Sequence, residues 1–82
     1  MAEQLMEDRL KVALNGAGIQ LLKLDFLPHG HQWRAQYNTA HTVGEALEAI
    51  EISTFANGLR INILAYYTLM DGTQIVIMAV KS

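Results

Sequence analysis

An 82-residue chain with a formal net charge of −2 has room for one domain, and we expect that domain to span residues 1–82. The chain is 51% hydrophobic and 17% charged, so it is too apolar to be disordered and less charged than the ~25% typical of soluble domains. Because cysteine is absent, disulfides, thiolate metal sites and cysteine nucleophiles are excluded.

The sequence has no feature that predicts export, membrane insertion or nucleic-acid binding. The first ten residues are charged and lack the apolar segment of a signal peptide. No apolar run reaches the ~18 residues that a membrane-spanning helix needs. The six Lys and Arg residues are dispersed, so no basic run is available for phosphate contacts. We therefore expect a cytoplasmic protein without membrane contact.

Residues 3–15 are predicted to form the first helix. Five apolar residues recur at helical spacing and define one apolar face: Met6, Leu10, Ala13, Leu14 and Ala17. The glycines within residues 15–18 end the helix, because glycine readily adopts the left-handed conformation that follows a helix C-terminus.

Residues 19–38 are predicted to form a hairpin around a four-residue loop at residues 28–31. This loop pairs apolar residues on one face of the hairpin: Phe26 with Trp33, Leu24 with Ala35, and Leu22 with Tyr37. It pairs polar residues on the other face: Asp25 with Arg34, and Lys23 with Gln36. The hairpin should therefore have one buried face and one hydrated face.

The second helix should begin at residues 42–45, where Thr42 and Glu45 have the spacing of a capping box. We place its end near Glu51, because Ile52 in a continued helix would point away from Ile50. The segment after Glu51 would then be irregular or a short strand near residue 53. The alternative is a helix that continues to Ala56, with residues 57–58 as its C-cap.

Residues 59–82 predict a second hairpin, since Asp71 and Gly72 separate two runs of β-branched and aromatic residues. Such a dipeptide is typical of a two-residue type I′ turn. The turn would pair Leu64 with Ala79, Tyr66 with Ile77, Thr68 with Ile75, and Met70 with Thr73 on one face. On the other face it would pair Ile63 with Val80, Ala65 with Met78, Tyr67 with Val76, and Leu69 with Gln74.

Both faces of this second hairpin are mostly apolar, unlike an antiparallel sheet with one face in water. Two helices can cover one of them. Our hypothesis is that the second face, or the free edge of the last strand, contacts another copy of the chain or a different protein. The alternative is that the twisted sheet folds partly over itself, so that the second face belongs to the core.

Tyrosine is enriched in protein interfaces, and the adjacent Tyr66 and Tyr67 must point to opposite faces of their strand. We expect one tyrosine to be in the core and the other to contact the partner. The predicted partner interface comprises Ile63, Tyr67, Val76, Met78 and Val80, although the two faces could be reversed.

The sequence provides no group of residues for catalysis, cofactor binding or metal binding. His29 and His31 supply two imidazoles, and a zinc or copper site needs a third or fourth ligand. Glu45, Glu48 and Glu51 are best explained as a hydrated helix face, with a basic partner as the alternative. We therefore expect no enzymatic activity, no cofactor and no metal.

The expected fold is a two-layer α+β sandwich in which two helices pack on an antiparallel sheet of two hairpins, in the order α-β-β-α-β-β. The expected function is protein binding or regulation, as a homodimer. By size alone, the chain could be a bacterial or phage accessory factor or inhibitor. The alternatives are nucleic-acid binding through a sheet face, and a small-ligand module or enzyme with a site between subunits.

Overall fold

The fold is described from a computed structural model, which covers residues 2–81, with side chains from Leu5 to Lys81. Its helices and strands are α1 (Ala2–Asn15), β1 (Gln20–Leu27), β2 (Gln32–Asn38), α2 (Val43–Ala56), β3 (Arg60–Thr68) and β4 (Gln74–Lys81). The four strands form one antiparallel sheet, and both helices pack on the same side of it. The predicted α+β architecture and element order are therefore confirmed.

The two hairpins join through their second strands, so the sheet order is β1-β2-β4-β3. Ala35 of β2 faces Val76 of β4 near the middle of this contact, and neither side chain is exposed. The last strand therefore lies in the centre of the sheet. Our expectation that β4 has a free edge was wrong, because β4 pairs with a strand on each side; the edges are β1 and β3.

The register of the first hairpin was predicted correctly from its loop as far as Lys23. Phe26 faces Trp33, and Asp25 faces Arg34. The predicted pair of Leu22 with Tyr37 was wrong, since a β-bulge makes Leu21 the partner of Tyr37. Leu22 is therefore 49% exposed and does not join the core.

The turn of the second hairpin is not the predicted two-residue type I′ turn. Residues 70–72 form a three-residue loop, in which Leu69 N–H donates to the Thr73 carbonyl at 2.8 Å and Gly72 N–H donates to the Leu69 carbonyl at 3.0 Å. Gly72 has φ +89°, whereas φ of Asp71 is not positive. Asp71 instead uses its carboxylate to accept hydrogen bonds from Thr73, which favours the longer loop.

This longer loop changes the register of β3 against β4. Tyr67 faces Ile75 and Tyr66 faces Val76, one position away from the predicted pairs. A bulge between Ile63 and Ala65 adds a second shift, so Ile63 faces Met78 instead of Val80. The predicted pairs of this hairpin were therefore wrong, because a one-residue change of register moves a side chain to the other face.

The start of α2 has the predicted capping box. Glu45 N–H donates to the Thr42 hydroxyl at 3.3 Å, and Thr42 N–H donates to the Glu45 carboxylate at 3.0 Å. These two bonds satisfy backbone donors that have no partner within the helix.

The end of α2 is five residues later than the predicted end near Glu51 (56 − 51), and no strand forms near residue 53. Gly58 has φ +77° and donates to the Phe55 carbonyl at 3.0 Å, while Leu59 donates to the Thr54 carbonyl at 2.9 Å. This is a Schellman motif, and the burial of Leu59 supplies its hydrophobic contact. As predicted for a continued helix, Ile52 points away from the buried Ile50. Its side chain is exposed, and this exposure does not end the helix.

The core lies between the helices and one face of the sheet, which we call the helix-covered face. Its largest fully buried side chains include Leu10 and Leu14 of α1, Ile50 of α2, and Tyr37 of β2. The Ser53 hydroxyl donates to the Ala13 carbonyl and so connects α2 to α1. No helix among residues 2–81 is both long enough and apolar enough to cross a bilayer.

Two buried polar atoms lack a hydrogen-bond partner among the described residues: the Tyr37 hydroxyl and Gln74 Oε1. Tyr37 and Gln74 face each other across β2 and β4. Burial of the Tyr37 ring raises the pKa of its phenol, because the charged phenolate would lose hydration. At neutral pH the buried Tyr37 hydroxyl is uncharged, and no hydrogen bond among the described residues offsets the hydration that it loses on burial.

Replacing Gly58 by alanine should destabilise the protein by about 1 kcal/mol, because an L residue is strained at positive φ. Gly44→Ala is the matched control. Gly44 lies in α2 with open space around its Cβ position, so this change should stabilise the protein by about 0.5 kcal/mol. Urea unfolding followed by circular dichroism measures both changes, and equal effects of the same sign would contradict the assigned cap.

Replacing Tyr37 by phenylalanine should leave stability at neutral pH unchanged or increase it by about 1 kcal/mol, since it removes an unpaired hydroxyl. The wild type should lose stability as pH rises above about 10, because its unfolded phenol ionises while the folded phenol resists ionisation. Tyr37→Phe should lack that part of the loss. Urea titrations at neutral and alkaline pH test this expectation, and an equal alkaline loss of stability in the Tyr37→Phe variant would contradict it.

Candidate interaction surface

The face of the sheet opposite the helices, called here the open face, is charged on one half and apolar on the other. The charged half belongs to β1 and β2. There, one Asp25 carboxylate oxygen lies 3.1 Å from Arg34 Nη2 and 3.7 Å from Lys23 Nζ. The carboxylate of Asp25 thus has two cationic neighbours, and these partly exposed ion pairs add little stability.

The apolar half of the open face belongs to β4 and β3. Ile75 is only 7% exposed, and Ile77 and Ala79 are half-buried, although no helix covers them. Their shielding comes from the neighbouring strands, because β4 lies between β2 and β3. Burial on the open face is therefore greatest in the middle of the sheet, and the large exposed side chains of the two apolar strands lie on β3.

Three large side chains of β3 are about half exposed, and we call them the β3 edge surface: Leu64 (46%), Tyr66 (56%) and Tyr67 (44%). Tyr66 lies beside Val76 on the helix-covered face, and Tyr67 lies beside Ile75 on the open face. Leu64 lies in the bulge between Ile63 and Ala65. This edge is therefore apolar on both faces of the sheet.

The five residues of the predicted partner interface do not form one surface. Val76 and Met78 are completely buried, and Ile63 and Val80 pack against the same core. Tyr67 alone lies on the open face. The physical reason is the change of register, which placed Val76 beside Tyr66 instead of Tyr67.

Leu64 and Tyr66 were missed as exposed residues of β3. The expectation that one of the two tyrosines lies in the core was wrong, because Tyr66 is 56% and Tyr67 is 44% exposed. The adjacent tyrosines already indicated that one aromatic ring must lie on each face. Nothing local in the sequence indicated that β3, rather than β4, would be the edge strand, since that depends on the contact between β2 and β4.

The two ends of β3 carry opposite charges. At its start, Arg60 faces Lys81 across the strand pair, and both are exposed. Neither cation has a carboxylate within ion-pair distance among the described residues. Beyond its end lies exposed Asp71, and residues 61–70 between these charges include no charged residue.

Asp71 is held in place by Thr73. The Thr73 hydroxyl and amide donate to Asp71 Oδ1 at 2.7 and 2.9 Å, and Gln36 Nε2 donates to the same hydroxyl at 3.1 Å. The hydrogen bonds from the side chain and then the backbone of Thr73 lower the pKa of Asp71. Asp71 is therefore a fixed negative charge at neutral pH.

The described surface includes two shallow cavities that are candidates for small-ligand sites. One, of about 250 Å³, lies between the end of α2 and the start of β3 and includes Glu51, Phe55 and Arg60. The other, of about 290 Å³, lies between α1 and β1 and includes Lys11 and Lys23. Both are smaller than the ~300–1,000 Å³ of most ligand pockets, and both open to the surface.

The histidines and the aromatic residues of the first hairpin do not form a binding site. His29, His31 and His41 are exposed, and the part of the chain that the structure describes has no group of three or more potential metal ligands. Trp33 and Tyr37 are buried under the helices, as core packing predicts, and are not available to stack on bases.

The three glutamates of α2 are exposed. The backbone amide and then the hydroxyl of Thr42 donate to Glu45, and these hydrogen bonds lower its pKa. Glu45 therefore has a structural role in the helix cap, which leaves Glu48 and Glu51 on a hydrated helix face.

Comparison with known proteins found no protein-family model, no curated protein and no solved structure that matches this chain.

Proposed function

We propose that this protein works in the cytoplasm by contact with other proteins, and that it forms a homodimer through the β3 edge surface. The proposed role is regulatory, as an accessory factor or inhibitor that occupies the surface of its target. The observation that carries the proposal is the difference between the two edge strands of the sheet.

An edge strand presents unpaired backbone N–H and C=O groups to which another strand can pair. Proteins protect such edges with charged side chains, proline or bulges. β1 has this protection, because Lys23 and Asp25 lie in the strand and Pro28 follows it. Both edge strands have a bulge. β3 is one residue longer than β1, and after Arg60 it has neither charge nor proline.

The side chains of the β3 edge surface support the same proposal. A strand added beside β3 would contact side chains on both faces of the sheet, and Tyr66 and Tyr67 lie on opposite faces. Tyrosine is favoured in interfaces because its ring buries a large area and its hydroxyl tolerates water. Burial of these rings and of Leu64 would remove the largest exposed apolar residues from this edge.

Leu64→Lys should weaken self-association at least tenfold, corresponding to about 1.4 kcal/mol, because it places a charge in the contact. Leu22→Lys is the matched control. Leu22 lies at the bulge of the other edge strand with similar exposure, 49% against 46%, so association should be unchanged. Sedimentation equilibrium over a range of concentrations measures the dissociation constants.

A wild-type protein that remains a 9.1 kDa monomer at ~100 µM would contradict the homodimer. Equal weakening by both lysine variants would contradict the assignment of the contact to β3. Circular dichroism of each variant shows that any change in mass is not caused by unfolding.

A further inference from the structure

We propose that two copies of this chain pair antiparallel along β3, about a two-fold axis near Leu64, with Arg60 of each copy bound to Asp71 of the partner subunit. The sheet then continues through eight strands, with all four helices on one side. This inference rests on the homodimer proposed above and specifies its geometry and the charges that fix it.

The distribution of charge along β3 selects the antiparallel arrangement. One end of the strand has Arg60, the other end leads to Asp71, and residues 61–70 between them are uncharged. In an antiparallel pair, the start of one strand lies beside the end of the other. Opposite charges then meet at both ends of the contact, whereas a parallel pair would bring like charges together.

A two-fold axis makes the contact self-complementary, because any residue pair formed on one side is repeated on the other. If the axis passes Leu64, residue 60 lies opposite residue 68, since each is four positions from the axis. Arg60 is then at the point where the partner chain leaves its strand and enters the loop that holds Asp71. The arginine side chain would then extend from this point toward the partner subunit's loop.

The hydrogen bonds of Asp71 leave a carboxylate oxygen for this contact. Both bonds from Thr73 end on Oδ1, and Oδ2 accepts none among the described residues. The bond from Gln36 to Thr73 further fixes the loop against β2. The carboxylate is therefore held in one place before binding, which reduces the entropy lost when an ion pair forms.

A carboxylate from the second copy would also act on the cationic end of β3. Arg60 and Lys81 are directly opposite each other, and like charges in this position destabilise a strand pair. A carboxylate from the second copy offsets this repulsion. Near the axis, Leu64 meets its own copy, and Tyr66 and Tyr67 flank it on the two faces of the sheet.

The absence of cysteine allows the axis to be located by disulfide formation. Leu64→Cys should give a covalent dimer on mild oxidation, because a residue near the axis lies within disulfide distance of its own copy. Leu22→Cys, with similar exposure on β1, should stay largely monomeric under non-reducing electrophoresis. Equal rates of crosslinking for the two variants would overturn the proposed axis.

Charge reversal tests the orientation independently. Arg60→Glu and Asp71→Lys should each weaken self-association at least about tenfold. A mixture of the two variants should associate nearly as well as the wild type, because each contact in the mixed dimer again joins opposite charges. Sedimentation equilibrium of the separate and mixed variants gives these affinities, and folded variants without recovery on mixing would overturn the proposal.

Asp71→Asn is a control that separates loss of the charge from disruption of the loop by lysine. Asparagine keeps the Oδ1 acceptor for Thr73 and removes only the charge, so it should weaken association less than lysine does and reduce its dependence on salt. An unchanged dissociation constant would overturn the ion pair. A wild-type monomer contradicts the proposed homodimer itself, whereas a wild-type dimer insensitive to these changes contradicts only this geometry.

Discussion

The pairing of β2 with β4 is the contact on which the rest of the fold depends. It joins two α-β-β units through their second strands, with Ala35 opposite Val76, and it creates the continuous face on which both helices pack. It also makes β1 and β3 the edges of the sheet. β4 therefore has a neighbouring strand at each edge. This position explains how a strand with apolar residues on both faces is accommodated within one chain.

The same contact explains why the functional proposal concerns β3. The edge strand of the first unit is protected by charges, and the carboxylate of Asp25 lies between two cations. The edge strand of the second unit has its charges only at its ends and exposes Leu64, Tyr66 and Tyr67. The two α-β-β units thus differ in how well charged side chains protect their edge strands against pairing with an added strand.

Much of the fold could be predicted because its determinants are local. The capping box at Thr42 and the loop at residues 28–31 involve residues close in sequence, and both were found. The end of α2 was misplaced, because Leu59 and Thr54 are buried by contacts that periodicity alone does not reveal. Asp71 was recognised as a turn residue, but its hydrogen bonds to Thr73 selected a longer loop than the dipeptide implied.

The element order, the α+β class and the adjacent tyrosines on opposite faces of one strand could all be predicted from the amino-acid sequence. Hydrophobic periodicity, helix caps and turn residues depend only on residues close in sequence. The secondary structure that they indicate can therefore be predicted without knowledge of long-range contacts. The strand order, the bulges and the register could not be predicted in this way. They bury Val76 and Met78 and leave Leu64 exposed. These features depend on contacts between distant residues, and a one-residue shift exchanges the two faces of a strand.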